Sequence, residues 1–361
     1  MQHNALSRWL SPLMAFCLSF IIIATLAPVT GIQVERQIDF WILWLVTMVI
    51  LALPICYLEI ALAKRSKVTA LQALSNLTRD ADASQRWRIV GWLAVIFIPF
   101  LAGGILDNAS ELLVAYALPI SATNFLFIGL AIAAIIVSFI PRTIIVLLTA
   151  LGVIGSLILA NVFGTALPEW KVTPLAFSEW GHATILALVA SGLGLGLYWQ
   201  SNLSIAQTDE VATKTVLPIW IAQLLAVIAF GFFAIHAQIP AFAFILAVVA
   251  GAALLLQMAR EQLAHRQIAV LVQWAILLIA LFVWAIPQTS IIFNHALVLW
   301  GLIICFIYAI FAGWIMKISH LRKSMNFSHE ALYNIWRIAV RIVLPLAIIM
   351  AIIAYIGQIL P

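Results

Sequence analysis

The chain has 361 residues, of which 65% are apolar and 9% charged, and its formal net charge is +5. Soluble domains carry roughly 25% charged and about 45–50% apolar residues, so this composition excludes a soluble enzyme, a disordered chain and a nucleic-acid-binding protein. Transmembrane barrels are excluded too, because their strands alternate apolar and polar residues in segments of about 10, whereas the apolar runs here are continuous. The sequence therefore predicts an all-α polytopic membrane protein.

Apolar runs of helix-spanning length recur along the whole chain. About 20 apolar residues cross a hydrocarbon core of about 30 Å, and this criterion predicts about eleven transmembrane helices. The third run is long enough to tilt strongly or to extend past the bilayer. In chain order the predicted spans are Trp9–Gly31, Phe40–Ala63, Ile89–Ala117, Asn124–Ile140, Thr143–Phe163, Ala183–Trp199, Val216–Ile235, Ala241–Met258, Ile268–Ile286, Ile291–Ile315 and Ile335–Ile356.

The basic residues predict the orientation of these spans. With a cytoplasmic N-terminus and eleven spans, 16 of the 18 Lys and Arg residues lie inside, and only Arg36 and Lys171 lie outside. Cytoplasmic loops of membrane proteins are rich in Lys and Arg, so the asymmetry favours eleven spans with the C-terminus outside. The longest predicted loops are Lys64–Arg88, Gly164–His182 and Lys317–Trp336, and each is too short for a separate domain.

Three polar residues of the third predicted span are the first site candidates. Asp107 and Glu111 are four residues apart and share one helix face, and Asn108 follows Asp107 directly. Ionisable residues at membrane depth are costly and often functional. Two carboxylates on one face suit a cation, an amine or a proton. In the alternative interpretation, the helix crosses the membrane interface here or Glu111 caps a neighbouring backbone.

Two further stretches carry candidates. Glu59 lies near the end of the second predicted span, five residues before Lys64, so it has either a structural or gating role or simply marks the interface. The sixth predicted span contains three alternate glycines, which weaken a helix by roughly 1 kcal/mol each relative to Ala. A broken helix would expose backbone groups to an ion or a solute, whereas small residues can instead serve helix packing. The candidates in this stretch are Ser191, Gly192, Gly194 and Gly196.

The remaining polar and aromatic residues indicate structure rather than chemistry. Cys17, Cys56 and Cys305 lie inside apolar runs without metal-ligand spacing, so we expect no metal site, cofactor or disulfide framework. Asn294 and His295 begin the tenth predicted span and are interpreted as interfacial, while most of the 14 Trp residues are interpreted as lipid-facing or interfacial. No metalloprotease helix motif or nucleophile elbow is present, so an enzyme is not expected.

Four segments resemble the neurotransmitter:sodium symporter family, in particular its bacterial amino-acid transporter branch. Ala52–Arg65 is similar to the family's second helix, with Pro54, an embedded glutamate and a basic end. Gly91–Glu111 resembles its third helix, Ser191–Gly196 its broken sixth helix, and Glu261–Val270 the linker from the eighth to the ninth helix. The order and spacing of these segments agree with the family along most of the chain.

The resemblance implies the LeuT-type fold, in which two five-helix repeats are related by a pseudo-two-fold axis in the membrane plane. It places the first repeat at 9–163 and the second at 183–315, with a peripheral eleventh helix at 335–356 in a single domain of 1–361. It also implies that the first and sixth helices are broken around a solute.

The chain departs from the family in its first helix. Residues 14–28 contain no Gly and no Asn, and Phe16, Phe20 and Ile22 occupy positions where the family has Gly. Bulky side chains should fill the space of a substrate carboxylate, so we predict that this helix is unbroken.

Sodium ligation also departs from the family pattern. Hard cations need oxygen ligands, yet the eighth predicted span, Ala241–Met258, contains no Ser or Thr. Ala190 stands where the family's sixth helix offers a hydroxyl ligand. Asp107 falls close to a substrate-contacting tyrosine of the family, a change that favours an amine or a proton over a carboxylate.

Two functions follow as hypotheses. The first is a secondary transporter of a small amino-acid- or amine-like solute, coupled to protons or uncoupled rather than coupled to sodium. The second is a non-transporting relative that acts as a scaffold or partner subunit of another membrane protein. The expected surroundings are the lipid bilayer of a bacterial plasma membrane, without nucleic acid.

Overall fold

The computed structural model describes residues 2–30, 37–116, 123–163, 169–193, 195–197, 211–234, 241–327 and 329–359. Within them the secondary structure is helical, apart from one isolated bridge between Gln37 and Lys171. Eight helices of this part of the chain are long and apolar enough to cross a membrane, and two shorter apolar helices accompany them. The predicted all-α membrane architecture is confirmed, while the count of eleven spans stays a prediction.

The helices are numbered here in chain order, and several include a π-helical turn. They are α1 (Gln2–Thr30), α2 (Ile38–Ser66), α3 (Ala70–Asp80), α4 (Ile89–Tyr116), α5 (Thr123–Val137), α6 (Arg142–Phe163), α7 (Phe177–Ala190), α8 (Thr213–Ala229), α9 (Ala241–His265), α10 (Val270–Phe282), α11 (Ser290–Ile310), α12 (Ile318–Met325) and α13 (Glu330–Ile359).

Two of the predicted loops contain helices. The loop predicted at Lys64–Arg88 contains α3, whose apolar side is buried through Leu71, Leu74 and Leu77. The loop predicted at Lys317–Trp336 contains α12 and the first turns of α13. Hydropathy alone misses such amphipathic helices because their polar face lowers the average, although their apolar face still packs on the protein.

Prolines explain two of the π-helical turns. The turn at Met48–Ala52 precedes Pro54, and the turn at Ala339–Val343 precedes Pro345. Proline has no N–H, so the carbonyl four residues earlier loses its helical partner. For Pro345 that carbonyl belongs to Arg341, and the indole Nε1 of Trp314 donates to it at 3.0 Å.

Several tryptophans are buried in the bundle, although the sequence predicts that most of them are lipid-facing or interfacial. Trp44 is 0% and Trp284 is 1% exposed. Indole N–H groups also join different helices, because Trp220 donates to the Met48 carbonyl and Trp336 to the Pro54 carbonyl. In Trp220 and Trp336 the indole N–H is thus satisfied by a backbone carbonyl near a proline.

The helix contacts fall into pairs that match an inverted repeat. In the predicted repeat, α1 corresponds to α7, α2 to α8, α4 to α9, α5 to α10 and α6 to α11. The contact between α1 and α8 then corresponds to the contact between α7 and α2. The contact of α6 with α9 becomes that of α11 with α4, and α5 with α9 becomes α10 with α4. The pair α4 and α9 maps onto itself. Each of these contacts is present, as the predicted pseudo-two-fold arrangement requires.

The centre of the bundle is formed by α1, α4 and α9. In the most apolar 18-residue stretch of each of these helices, 78% of the residues are buried, compared with 39% in α13. Helix α13 packs on α7 and α11 at the edge, so it corresponds to the predicted peripheral helix. Of the predicted site residues, Asp107, Asn108 and Glu111 lie on α4, one of these three helices.

A glycine allows the closest of these helix contacts. A Cβ atom added to Gly152 of α6 would lie 2.4 Å from the backbone nitrogen of Ala247 in α9. A Cβ atom added to Gly155, one turn later on α6, would meet nothing within 4 Å. Small residues let membrane helices approach closely, and Gly152 performs this role where the two predicted repeats meet.

We expect Gly152→Ala to destabilise the protein by about 1–3 kcal/mol, because α6 and α9 must separate to admit the methyl group. The matched control Gly155→Ala should be neutral or stabilising by up to about 1 kcal/mol, since alanine favours a helix over glycine. Thermal unfolding of both variants in one detergent measures the difference. Equal unfolding temperatures for the two variants would contradict the assigned contact.

Candidate functional site

Helix α7 ends inside the bundle, as predicted for a broken sixth helix. The last helical residue is Ala190, and Gly192 follows with a φ of 80°. The N–H of Leu193 donates to the Leu188 carbonyl, and the N–H of Gly192 donates to the Val189 carbonyl. This pattern is a Schellman motif with glycine at the left-handed position, which explains why the break occurs at this glycine.

The last carbonyl of α7 is bound by another helix. Helix α1 is continuous from Gln2 to Thr30, so the prediction of an unbroken first helix is confirmed. Its Ser19 hydroxyl donates to the Ala190 carbonyl at 2.6 Å, and Ser19 is 0% exposed. Together with the local bonds at Ala187, Leu188 and Val189, every one of the last four α7 carbonyls accepts a hydrogen bond.

A leucine fills the space beside the break. Leu193 has a φ of 56°, a conformation that is rare for a residue with a branched side chain. A Cβ atom added to Gly301 of α11 would lie 2.5 Å from the Leu193 Cδ1 atom and 3.3 Å from the ring of Phe97 in α4. Leu193 is 4% exposed and Phe97 is 0% exposed, so α1, α4, α7 and α11 meet here around apolar side chains.

The predicted candidates at the break are enclosed. Ser191 is fully buried and donates its hydroxyl to the Leu188 carbonyl, while Gly192 and Gly196 are buried with positive φ angles. Gly194 lies outside the described residues. Helix α7 therefore ends here, and the carbonyls of residues 187–190 accept hydrogen bonds from the protein itself, while a role of the candidate residues in binding stays a prediction.

Asp107 lies in a second polar site, at the start of α11. Its side chain is 4% exposed and lies close enough to Ser290, the first residue of α11, to interact with it. A helix N-terminus carries positive potential that stabilises a carboxylate. The Oδ2 atom of Asp107 is buried and, within the described residues, has no hydrogen-bond partner. One carboxylate oxygen is thus available inside the protein.

Asn108 and Asn294 form a reciprocal pair beside Asp107. Asn108 Nδ2 donates to Asn294 Oδ1 at 3.0 Å, and Asn294 Nδ2 donates to Asn108 Oδ1 at 2.9 Å. Asn108 Nδ2 also contacts the Thr25 carbonyl of α1 at 3.2 Å. The pair joins α1, α4 and α11 and is nearly fully buried, so Asn294 faces other helices rather than water, while its interfacial depth stays a prediction.

Glu111 leads from this pair toward the surface. It lies one turn after Asp107 on α4 and is exposed. The structure therefore gives the two predicted carboxylates different surroundings, one enclosed and one open.

The break and the Asp107 site lie at different depths. Phe97 marks the level of Leu193 on α4, and Asp107 follows ten residues later. At 1.5 Å per helical residue the two levels are about 15 Å apart. The sequence candidates thus form two separate groups rather than a single site.

Glu59 belongs to neither group. It is 2% exposed on α2 and lies close enough to Cys56 and Tyr308 to interact electrostatically with both. The Cys56 thiol in turn donates to the Gln223 side chain of α8 at 3.0 Å. Glu59 therefore does not mark the interface, and its structural or gating role stays a prediction.

The described residues offer little to a metal ion. They contain no group of three His, Cys, Asp or Glu side chains that could hold one. The central helix α9 has no Ser or Thr along its length, and the α7 carbonyls accept hydrogen bonds as described. Side-chain hydroxyls of α9 are therefore not available as the oxygen ligands that hard cations require.

No family model and no curated protein matches the sequence. The structure, in contrast, is similar to that of MhsT in complex with L-phenylalanine, with a TM-score of 0.60 and 17% identity over 96% of this chain and 98% of MhsT. It is also similar to the Eremococcus coleocola manganese transporter in complex with an aromatic bis-isothiourea substituted compound. There the TM-score is 0.60 and the identity 12%, over 99% of this chain and 89% of the transporter.

This chain has the LeuT-type transporter fold. The resemblance inferred from sequence is confirmed at the level of the fold, and its structural neighbours are transporters rather than enzymes. Identities of 17% and 12% assign no residue roles, so the chemistry depends on the two sites described above.

Several residues of these sites were missed by sequence reasoning. Ser19 and Thr25 are isolated hydroxyls in an apolar helix, and Ser290 and Asn294 lie next to a predicted span boundary. A hydropathy profile does not single out any of the four, because it averages apolar character along the chain and does not show which helices a side chain contacts. A pattern of polar residues at matching depths on the first, third and tenth spans was the available signal.

We expect the Asn108–Asn294 pair to show strong coupling in a double-mutant cycle. Either Asn108→Leu or Asn294→Leu should cost about 1–3 kcal/mol, because the remaining amide is buried without its partner. The double variant should cost clearly less than the sum, since apolar replacement of both partners leaves no orphan amide. Unfolding in detergent measures the cycle, with exposed Asn161→Leu as the control. Additive effects would contradict the pair.

Proposed function

We propose that the protein is a secondary-transporter-like membrane protein for a small amino-acid- or amine-like solute. The observation that carries the proposal is the buried Oδ2 of Asp107, which lacks a hydrogen-bond partner among the described residues. A buried carboxylate oxygen is costly unless a donor or a cation compensates it. An ammonium group or a proton supplies that compensation.

The neighbours of Asp107 support binding of a polar solute. Ser290 interacts with the carboxylate at the N-terminus of α11, and the Asn108–Asn294 pair adds side-chain amides on the same helices. Exposed Glu111 provides an entry of the same charge sign. We assign cation attraction to Asp107 and Glu111, and orientation to Asn108.

The proposed coupling is to protons or absent, rather than to sodium. The unbroken α1 and the hydrogen-bonded carbonyls of α7 leave few free oxygen ligands near the break. Asp107 itself is a group that can exchange a proton with a solute or with water. The break residues Ser191, Gly192, Gly194 and Gly196 then act as a hinge of α7 rather than as an ion cage.

The multi-pass membrane location follows from the helices, and we propose the bacterial plasma membrane with a cytoplasmic N-terminus and an external C-terminus. The distribution of basic residues supports this orientation. It places the end of α4, with Asp107 and Glu111, toward the outer surface.

We expect a thermal-shift screen of the purified protein to identify an amine or an amino acid that stabilises it. A ligand of the native state contributes RT ln(1 + [L]/Kd), which is about 2.7 kcal/mol at 100 times Kd. The stabilisation should disappear in Asp107→Asn and should change only modestly in Glu111→Gln, because Glu111 is exposed. Sodium should have no effect in wild-type protein.

Two results would overturn this assignment. The first is an unchanged response of Asp107→Asn to a ligand that stabilises the wild type, which would place the ligand elsewhere. The second is a flat screen across amines, amino acids, Na⁺, K⁺ and pH with a folded protein. Uptake into liposomes at several pH gradients then separates proton-coupled from uncoupled transport.

The alternative function is a non-transporting scaffold or partner subunit. The contact between Ser19 and Ala190, together with Leu193 at the break, favours it because these groups close the centre of the fold. A scaffold needs a rigid bundle and no access route. This alternative predicts that Asp107→Asn leaves the cellular phenotype unchanged.

We expect a scaffold to co-purify with one other membrane protein at constant stoichiometry. Native mass spectrometry of the full chain, extracted in mild detergent from its own membranes, measures this ratio. The Asp107→Asn chain is the matched comparison and should keep the partner. Recovery of the chain alone at every detergent concentration would exclude the scaffold function.

A further inference from the structure

A basic pocket opens at the end of the bundle where α12 meets α13. It has a volume of about 400 Å³ and is lined by Arg322, Lys323, Asn326, Phe327, His329, Glu330 and Tyr333. Small-molecule sites typically span about 300–1,000 Å³. The pocket lies on the face that carries most of the basic residues and is distant in sequence from both polar sites of the core.

One wall of the pocket consists of aromatic side chains that contact one another. The ring of Phe327 lies 5.3 Å from that of Tyr57 and 6.4 Å from that of Tyr333. Tyr333 contacts Trp336 at 5.8 Å, and the Trp336 indole is bound to the Pro54 carbonyl of α2. This aromatic wall of the pocket therefore packs on α2.

The charges around the pocket favour an anion. Arg322 and Glu330 form an ion pair at 3.0 Å, which leaves Lys323 exposed and, within the described residues, without an ion-pair partner. Arg337 and Arg341 also lie close enough to Tyr333 to interact electrostatically with it. Three basic side chains thus remain after the ion pair is formed.

The position of the pocket along α13 matches the depth of a lipid headgroup. Arg341 is the last charged residue of the chain, and residues 342–361 contain none. Exposed Ile335, Ile338 and Ile342 form an apolar stripe in the same turns of α13 as Arg337 and Arg341, on the side of the helix away from buried Tyr333. Positive charge at the start of α13 and an uncharged apolar surface beyond Arg341 fit a molecule with an anionic head and an acyl tail.

We propose that the basic pocket binds the phosphate headgroup of an anionic phospholipid. Lys323 would contact the phosphate, Tyr333 would line the pocket wall, Arg337 in the neighbouring cleft would add positive charge, and the acyl chains would lie along the uncharged surface of α13 beyond Arg341. Basic pockets between membrane helices are suited to anionic headgroups. Glu330 opposes binding by its charge and by holding Arg322.

The test measures lipid binding to the full-length protein by native mass spectrometry and by thermal shift. Phosphatidylglycerol is compared with phosphatidylcholine of identical acyl chains, and inorganic phosphate in large excess forms the soluble arm. Wild-type protein should retain phosphatidylglycerol preferentially. Excess inorganic phosphate should fail to displace it, because phosphate lacks the acyl chains.

Variants give opposite signs. Lys323→Gln should weaken phosphatidylglycerol binding about fivefold, equivalent to about 1 kcal/mol, whereas Glu330→Gln should strengthen it. The matched control Lys214→Gln removes an exposed lysine at the start of α8, outside the pocket, and should change little. Lys323 and Glu330 are exposed, so both variants should fold.

Three outcomes would overturn the proposal. One is equal binding of the two lipids by the wild type, and another is an equal loss in Lys323→Gln and Lys214→Gln. The third is displacement of phosphatidylglycerol by inorganic phosphate, which would identify a site for a soluble phosphate. Weaker binding in Glu330→Gln would contradict the assigned opposition of that carboxylate.

Discussion

A helix that ends inside a membrane leaves four carbonyl groups without helical partners, and hydrocarbon offers them no water. In this protein the end of α7 satisfies three of those groups locally, through the turn at Gly192. The fourth, at Ala190, is satisfied by the Ser19 hydroxyl of α1. The continuity of α1 and the break in α7 therefore depend on each other, because only a helical α1 presents Ser19 at this depth.

This interaction contributes to an apolar, filled centre of the fold. With Ser19 and Leu193 in place, the level of Phe97 is apolar and filled. The polar groups of α4 that still need a partner lie about 15 Å further along the helix, at Asp107. The same helix thus contributes a sealed centre and an open polar end, and the LeuT-type arrangement of helices is kept throughout.

Much of the fold was accessible from the sequence, because apolar runs and breaker glycines act locally. The bounds of α4 and α6, the unbroken α1 and the end of α7 follow from such signals. The Asn108–Asn294 pair was not accessible, since an asparagine near a span boundary has the same hydropathy whether it faces water or another helix. Helix α3 was missed for a related reason, because its polar face conceals a buried apolar one.

The shared fold does not by itself determine what this protein binds. Transporter neighbours share the helix arrangement with 17% and 12% identity, but a fold positions sites without specifying their chemistry. What a site can bind depends on which buried groups lack partners. The Ala190 carbonyl accepts a hydrogen bond, and the buried Oδ2 of Asp107 has no hydrogen-bond partner among the described residues, so under the proposed function a cation bound at the end of α4 would compensate a buried carboxylate oxygen.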